Sequence, residues 1–242
     1  MRYIIAIGGG RVFIPCKPPE TKRIDQSIMS LVEGKHPRFL FVPTALRDNR
    51  EYCNTMMVNW RFRLGCRYDH LRLIKDLPSE EEIARKIDWA DIVYVGGGST
   101  QRMMEVWKET GVDVALKKAY LAGKILAGIS AGAICWFRNG VSDSESYVSS
   151  DWKPMWVNGL GIIDLSCCPH FDSEPWRKEF IAACPPVKPV IGIEDNAAII
   201  LRNEDEYKII SSQPNRKAFL LRGEEEIVLP ADGKFRPLEN LC

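Results

Sequence analysis

A chain of 242 residues with 33 Lys and Arg against 32 Asp and Glu carries a formal net charge of +1. That length suits a single α/β domain, residues 1–242, with a sizeable core. The balanced charge gives no electrostatic ground for a nucleic-acid or membrane partner and leaves a small molecule or peptide as the expected one. The eight cysteines show no paired C-x-x-C spacing, which reads as free thiols in a reducing cytoplasm.

The chain opens on "MRYIIAIGGG", whose apolar run Tyr3–Ile7 is too short for a signal-peptide core and reads as a first strand closed by a glycine turn. Further short apolar runs at 39–42, 70–74, 92–95 and 125–127 are buried-strand candidates. Between them, 24–32, 52–64, 80–87 and 101–121 carry apolar residues at three- and four-residue spacing, as helices do. In "LPSEEEIARKI", Ser79 is the predicted N-cap and Glu82 its capping-box partner. Alternation of this kind predicts an α/β fold in three layers, a mostly parallel sheet flanked by helices, with ligands at the C-terminal strand ends. After a helix near Ala131, "NGVSDSESYVSSDWKPMWVNG" is polar and aperiodic and reads as a long surface excursion. Strand 162–165, a helix over 176–183 and strands 190–193, 197–202, 207–210 and 218–221 follow, the last forming a short C-terminal β extension.

Gly128, Ile129, Ser130, Ala131 and Gly132 form G-x-S-x-G between a strand and a helical run, the context in which a serine is held exposed on a sharp turn. The plainer reading is a capping serine in a small-residue contact. A nucleophile needs a base. Of the three histidines, His36 and His70 stand at strand starts, whereas His170 follows a strand, at the edge where Ser130 emerges. The base needs an acid: Asp143 competes with Asp195 and its neighbour Glu194, and Glu145 is a weaker third. Solvated surface carboxylates are the alternative for each, and spacing does not separate them. The run Gly96–Gly98 ends a strand and lacks both P-loop and dinucleotide spacing. An oxyanion hole from a Gly97 or Gly98 amide with that of Ala131 fits better. Cys167 and Cys168 lie near His170 without a second ligand pair, so neither a metal site nor a cofactor is expected.

The segments "VGGGST", "GISAGAICW", "GLGIIDLSCCPHF" and "IGIEDNAAI", in this order, resemble the peptidase E (aspartyl dipeptidase) family of serine peptidases, relatives of cyanophycinase, from about Ile92 to Ile200. The resemblance implies a class I glutamine amidotransferase-like fold with Ser130 in place of the amidotransferase cysteine, His170 as base and oxyanion glycines within Gly96–Gly98. It matches the acid best to Asp143, in a segment about two residues shorter than in the dipeptidase; the other acid discussed for the family falls on Asp195 without gaps. The arginine that holds an aspartyl carboxylate in the dipeptidase finds its nearest match in Arg177, across a shorter loop. The expectation is a cytoplasmic serine dipeptidase acting on small peptides, dipeptides with N-terminal Asp among them, with Asp143 orienting His170. A homodimer is the working expectation for its assembly. An amidotransferase-like acyl-transfer enzyme and a non-catalytic binding module on the same scaffold are the alternatives.

Overall fold

The computed structural model describes residues 1–12 and 17–242; Cys16 lies outside them. The early apolar runs become β1 (Tyr3–Ile7), β2 (Arg38–Val42), β3 (Arg67–His70), β4 (Ile92–Val95) and β5 (Ile125–Ile129). They lie side by side in the order β1-β5-β4-β2-β3, all parallel. Beyond β1 the sheet continues antiparallel through β10 (Ala197–Arg202), β11 (Glu206–Ser211) and β14 (Arg236–Pro237). Ile5, Phe39, Phe41 and Tyr94 pack with Ile24 and Ile28 of α1 (Lys22–Met29) and Met56 of α2 (Arg50–Met57). On the opposite face, Ile4, Leu40, Val93 and Leu126 share a core with α3 (Glu80–Trp89), α4 (Thr100–Thr110) and α5 (Val112–Leu121). Burial on both faces is why these strands read as unbroken apolar runs.

The helix-flanked α/β architecture is the expected one, but the strands divide between two sheets. Among the described residues, the second runs β13-β12-β9-β8-β6-β7. It is built from β6 (Phe137–Ser142), β7 (Met155–Asn158), β8 (Ile163–Cys168), β9 (Val190–Ile193), β12 (Ala218–Arg222) and β13 (Glu225–Leu229). Its centre, β6-β8-β9, is parallel. Leu165, Cys167, Ile191 and Ile193 join the core beneath the first sheet. Its outer face is covered by α7 (Trp176–Ala183) through Phe171, Ile181 and Phe219.

Several boundaries differ from the sequence reading. The polar stretch read as a surface excursion contains the end of β6 and all of β7, paired from Asn139↔Asn158 to Ser142↔Met155. β6, FRNGVS, mixes polar and apolar residues, and β7, MWVN, is only four residues long, so neither carries a period that marks it. The strand expected over 70–74 ends at His70 because the Asp48 carboxylate takes the Ile74 and Lys75 amides, at 2.5 and 3.0 Å, out of the ladder. The helix expected over 101–121 breaks at Gly111, whose φ of 72° ends α4 in the left-handed conformation typical of helix stops. In α3, Ser79 caps the Glu82 amide at 3.2 Å, as the sequence indicates.

Candidate active site

Ser130 leaves the C-terminal end of β5, flanked by the ends of β1 and β4. Its amide donates to Ile7 O at 3.0 Å, and its backbone is at φ 57°, ψ −114°. A non-glycine residue held there stores about 1–3 kcal/mol, so the surroundings must over-determine it. The motif glycines explain how they do. A Cβ on Gly128 would overlap the Gly132 carbonyl, and one on Gly132 would overlap the carbonyl of Val95. The turn therefore closes on itself and on β4 with no room for a side chain. The helix that follows, α6 (Ala131–Ile134), has only four residues. Its dipole is thus small, and what it offers a ligand is the Ala131 amide rather than a macrodipole.

His170 and Asp195 come from the second sheet, not from the sheet edge that carries Ser130. β8 and β9 are parallel neighbours in register Cys168↔Gly192, so residues just past their ends stand side by side. The His170 amide donates to Gly8 O at 3.2 Å, and the Asn196 amide to Gly9 O at 3.0 Å. The end of β1 thereby ties the second sheet to Ser130. His170 Nε2 lies 2.9 Å from Ser130 Oγ, and Nδ1 lies 2.7 Å from Asp195 Oδ1. With Nδ1 protonated, the ring donates to Asp195 and leaves Nε2 to accept from the serine hydroxyl. His170, at φ 53°, and Asn196, at φ 64°, are also left-handed, so strained backbone brackets the constellation on both strands.

The remaining candidates separate cleanly. Asp143 points to Arg177, 3.9 Å from its guanidinium, and accepts from Ser146 Oγ at 3.4 Å; His170 Nδ1 is taken by Asp195 instead. Glu194 accepts the Lys217 amide at 2.8 Å, and Glu145 that of Lys153 at 3.1 Å. Arg177, expected to hold a substrate carboxylate, is 2% exposed. Its Nε donates to Glu174 at 2.8 Å and Nη1 to Val141 O at 2.6 Å. Its Nη2 faces Asp143 at 3.9 Å, so the buried guanidinium is turned toward oxygens of the protein itself.

Within the glycine run, Gly97 packs against Ser130 but donates its amide to the Tyr52 hydroxyl at 3.3 Å. Its N–H is therefore committed to Tyr52. Among the described residues the amides of Gly98 and Ala131 have no protein acceptor. Sequence reasoning missed two participants. Tyr52, on α2, braces the glycine run, and burial pushes its phenol up to about 12. Gly9 lies against both His170 and Asp195, where a Cβ would overlap Asp195 Oδ1 and stand 2.5 Å from His170 Nδ1. The "GGG" after the first strand was the available signal for Gly9.

Burial raises the Asp195 carboxyl, but hydrogen bonds from His170 and Ser173 and the nearby Arg216 charge outweigh it, and its pKa falls below the ordinary carboxylate value. The carboxylate form is thus the one the site holds. The Cys167 and Cys168 thiols are buried in the cores behind His170, and burial pushes Cys168 up to about 12, so neither is poised as a thiolate.

The architecture is that of a peptidase of known structure. A crystal structure of a peptidase from an acI-B1 Actinobacterium matches 98% of this chain and 97% of its own with a TM-score of 0.76, at 22% identity. The model of peptidase family S51 matches residues 4–209, and the chain belongs to that family. It is similar to the uncharacterized peptidase YgaJ of Bacillus subtilis (strain 168), 34% identical over 240 residues covering 97% of this chain and 99% of that protein. It is also similar to the peptidase E of Shewanella denitrificans, 24% identical over 66% of this chain and 69% of that protein. A peptidase is therefore the class of enzyme to which the fold and site belong. Among the described residues, no helix is long and apolar enough to cross a membrane.

Proposed function

We propose that this peptidase is serine-type and hydrolyses small peptides, dipeptides with N-terminal Asp among them, with Ser130 as nucleophile, His170 as general base and then acid, and Asp195 as the acid that orients it. The observation that carries this reading is the unbroken hydrogen-bonded chain from Ser130 Oγ through both nitrogens of His170 to Asp195, at 2.9 and 2.7 Å. Ser130 Oγ attacks the scissile carbonyl as its proton passes to Nε2. The imidazolium is stabilised by the Asp195 carboxylate. The carbonyl oxygen takes up negative charge facing the Gly98 and Ala131 amides, which already lack acceptors and need no reorganisation. Nε2 returns the proton to the leaving amine, and water releases the acyl group by the same route. Seven described cysteines are free thiols, in keeping with action in the cytoplasm.

Replacing Ser130 by Ala tests the assignment. Peptide hydrolysis should fall by about 10³-fold or more with the fold intact, and labelling by a serine-directed phosphonate should disappear. Unchanged turnover in Ser130→Ala refutes the nucleophile.

A further inference from the structure

Asp195 does not stand alone at the end of β9. The antiparallel register Ala218↔Ile193 between β12 and β9, continued outward, sets Lys217 opposite Glu194 and Arg216 opposite Asp195. That continuation is held from both sides: the Glu194 amide donates to Lys217 O at 3.2 Å, and the Lys217 amide to Glu194 Oε2 at 2.8 Å. Pro214 and Asn215 form the turn before Arg216, with Asn215 left-handed at φ 64°, a conformation asparagine adopts more readily than most residues.

Arg216 acts on Asp195 through a third residue. Its Nη1 donates to Asp172 Oδ2, while Asp172 Oδ1 accepts the Asp195 amide at 2.8 Å. Asp172 lies two residues after His170, and the intervening Phe171 donates its amide to Ile193 O at 3.1 Å. One carboxylate therefore ties the segment that carries the base to the residue that orients it, and a guanidinium from the start of β12 fixes that carboxylate. Both side chains are partly buried, 34% and 20% exposed, so solvent screens their charges only in part. The neighbouring charges are engaged elsewhere: Glu174 with Arg177, Glu194 with the Lys217 amide, and Glu20, which reaches Asn196, with Arg11. The side chain of Lys217 is exposed.

We propose that Asp172 and Arg216 are positioning residues of the catalytic triad, a pair that locks Asp195 against His170 and whose opposite charges set the pH range in which His170 accepts a proton. The proposal rests on the reading of His170 and Asp195 as base and orienting acid. It gives the C-terminal β extension a part in the chemistry, since Arg216 reaches the site from there. In keeping with it, the Arg216 charge is among the causes that hold the Asp195 carboxyl below its ordinary value.

The experiment follows the titration of the His170 ring by NMR in the full-length protein, one of only three histidines, with its resonance assigned through His170→Gln. Arg216→Gln removes a cation, favours the imidazolium and raises the titration midpoint by about 0.3–0.5 pH unit. Asp172→Asn removes an anion, keeps an oxygen for the Asp195 amide and lowers the midpoint by about as much. The double variant and Arg216→Lys, which keeps the charge, stay within about 0.2 pH unit of the unsubstituted protein. The acid limb of kcat/KM for dipeptide hydrolysis moves with the ring, and kcat of Arg216→Gln falls about fivefold with KM within about twofold. A merely structural pair would change thermal melts without shifts of opposite sign. Midpoints that stay put, shifts in the same direction in both single variants, or an unchanged kcat in Arg216→Gln overturn the assignment. If the midpoints move apart as expected while Ser130→Ala hydrolyses peptide at the unsubstituted rate, the nucleophile reading fails and the positioning of His170 by this pair stands.

Discussion

Replacing Asp195 by Asn should remove most of the activity while leaving the molecule folded. The side chain keeps its size, so the packing against Gly9 and the Asp195 amide bond to Asp172 Oδ1, 2.8 Å, survive. What changes is the partner of His170 Nδ1. An Asn amide nitrogen facing the ring forces Nδ1 to accept, which leaves the proton on Nε2 pointing at Ser130 Oγ, where it blocks transfer. Even with the Asn oxygen facing the ring, the imidazolium loses a carboxylate 2.7 Å away. The corresponding substitution in Ser-His-Asp enzymes lowers kcat by about 10⁴-fold, about 5.5 kcal/mol in the barrier. We expect a loss of about 10³ to 10⁴ in kcat, with KM within about threefold. Asp143→Asn, a change 3.9 Å from Arg177 and off the His170 ring, should stay within about threefold of the unsubstituted protein. Steady-state hydrolysis of a dipeptide by both variants, with thermal melts to verify folding, decides the matter. A collapse of activity in Asp143→Asn with Asp195→Asn spared refutes the reasoning.

Three further outcomes test two supports of the site and the stability of the fold. Gly9→Ala drives a Cβ into Asp195 Oδ1 and the His170 ring; kcat should fall about a hundredfold and stability by about 1–3 kcal/mol, read by kinetics and urea denaturation. Tyr52→Phe keeps the ring against Phe41 but strands the Gly97 amide. It should lower kcat about tenfold with KM little changed, and an unaffected kcat would remove Tyr52 from the site. Asp25, buried with Thr21 and Asn59 as hydrogen-bond partners, has its carboxyl raised by burial from 3.8 to about 7. Because the unfolded chain ionises first, stability falls as pH rises from about 4 to 7 and then levels, by up to about 4 kcal/mol. Asp25→Asn should flatten that profile in urea titrations at pH 4.5 and 7.5.

The parts of this protein written in its sequence are those governed by local physics. The strands β1, β2, β4, β9 and β10 are buried on both faces, so their unbroken apolar runs are sufficient to mark them. Ser79 announces α3 because a cap bonds within one turn. The G-x-S-x-G turn is local too, as its two glycines relieve contacts within a few residues of Ser130 and with β4. His170 stood out because the chain has so few histidines.

What remained hidden depends on residues far apart in sequence. β6 and β7 are held by pairing with each other and, through β6, with β8, so their own residues carry little signal. The acid could not be chosen from spacing: Asp143 and Asp195 each follow a strand, and only the β8-β9 register brings one of them to His170. The same holds for Arg177, whose surroundings of Glu174 and Val141 bury it, and for Gly97, whose amide meets Tyr52 from α2. Apolar pattern and turn chemistry establish which segments are strands and where a strained serine stands. The docking of the second sheet onto the end of β1, through the Gly8 and Gly9 carbonyls, decides which side chains reach that serine, because hydrogen-bonding distance between separate strands is a property of their packing.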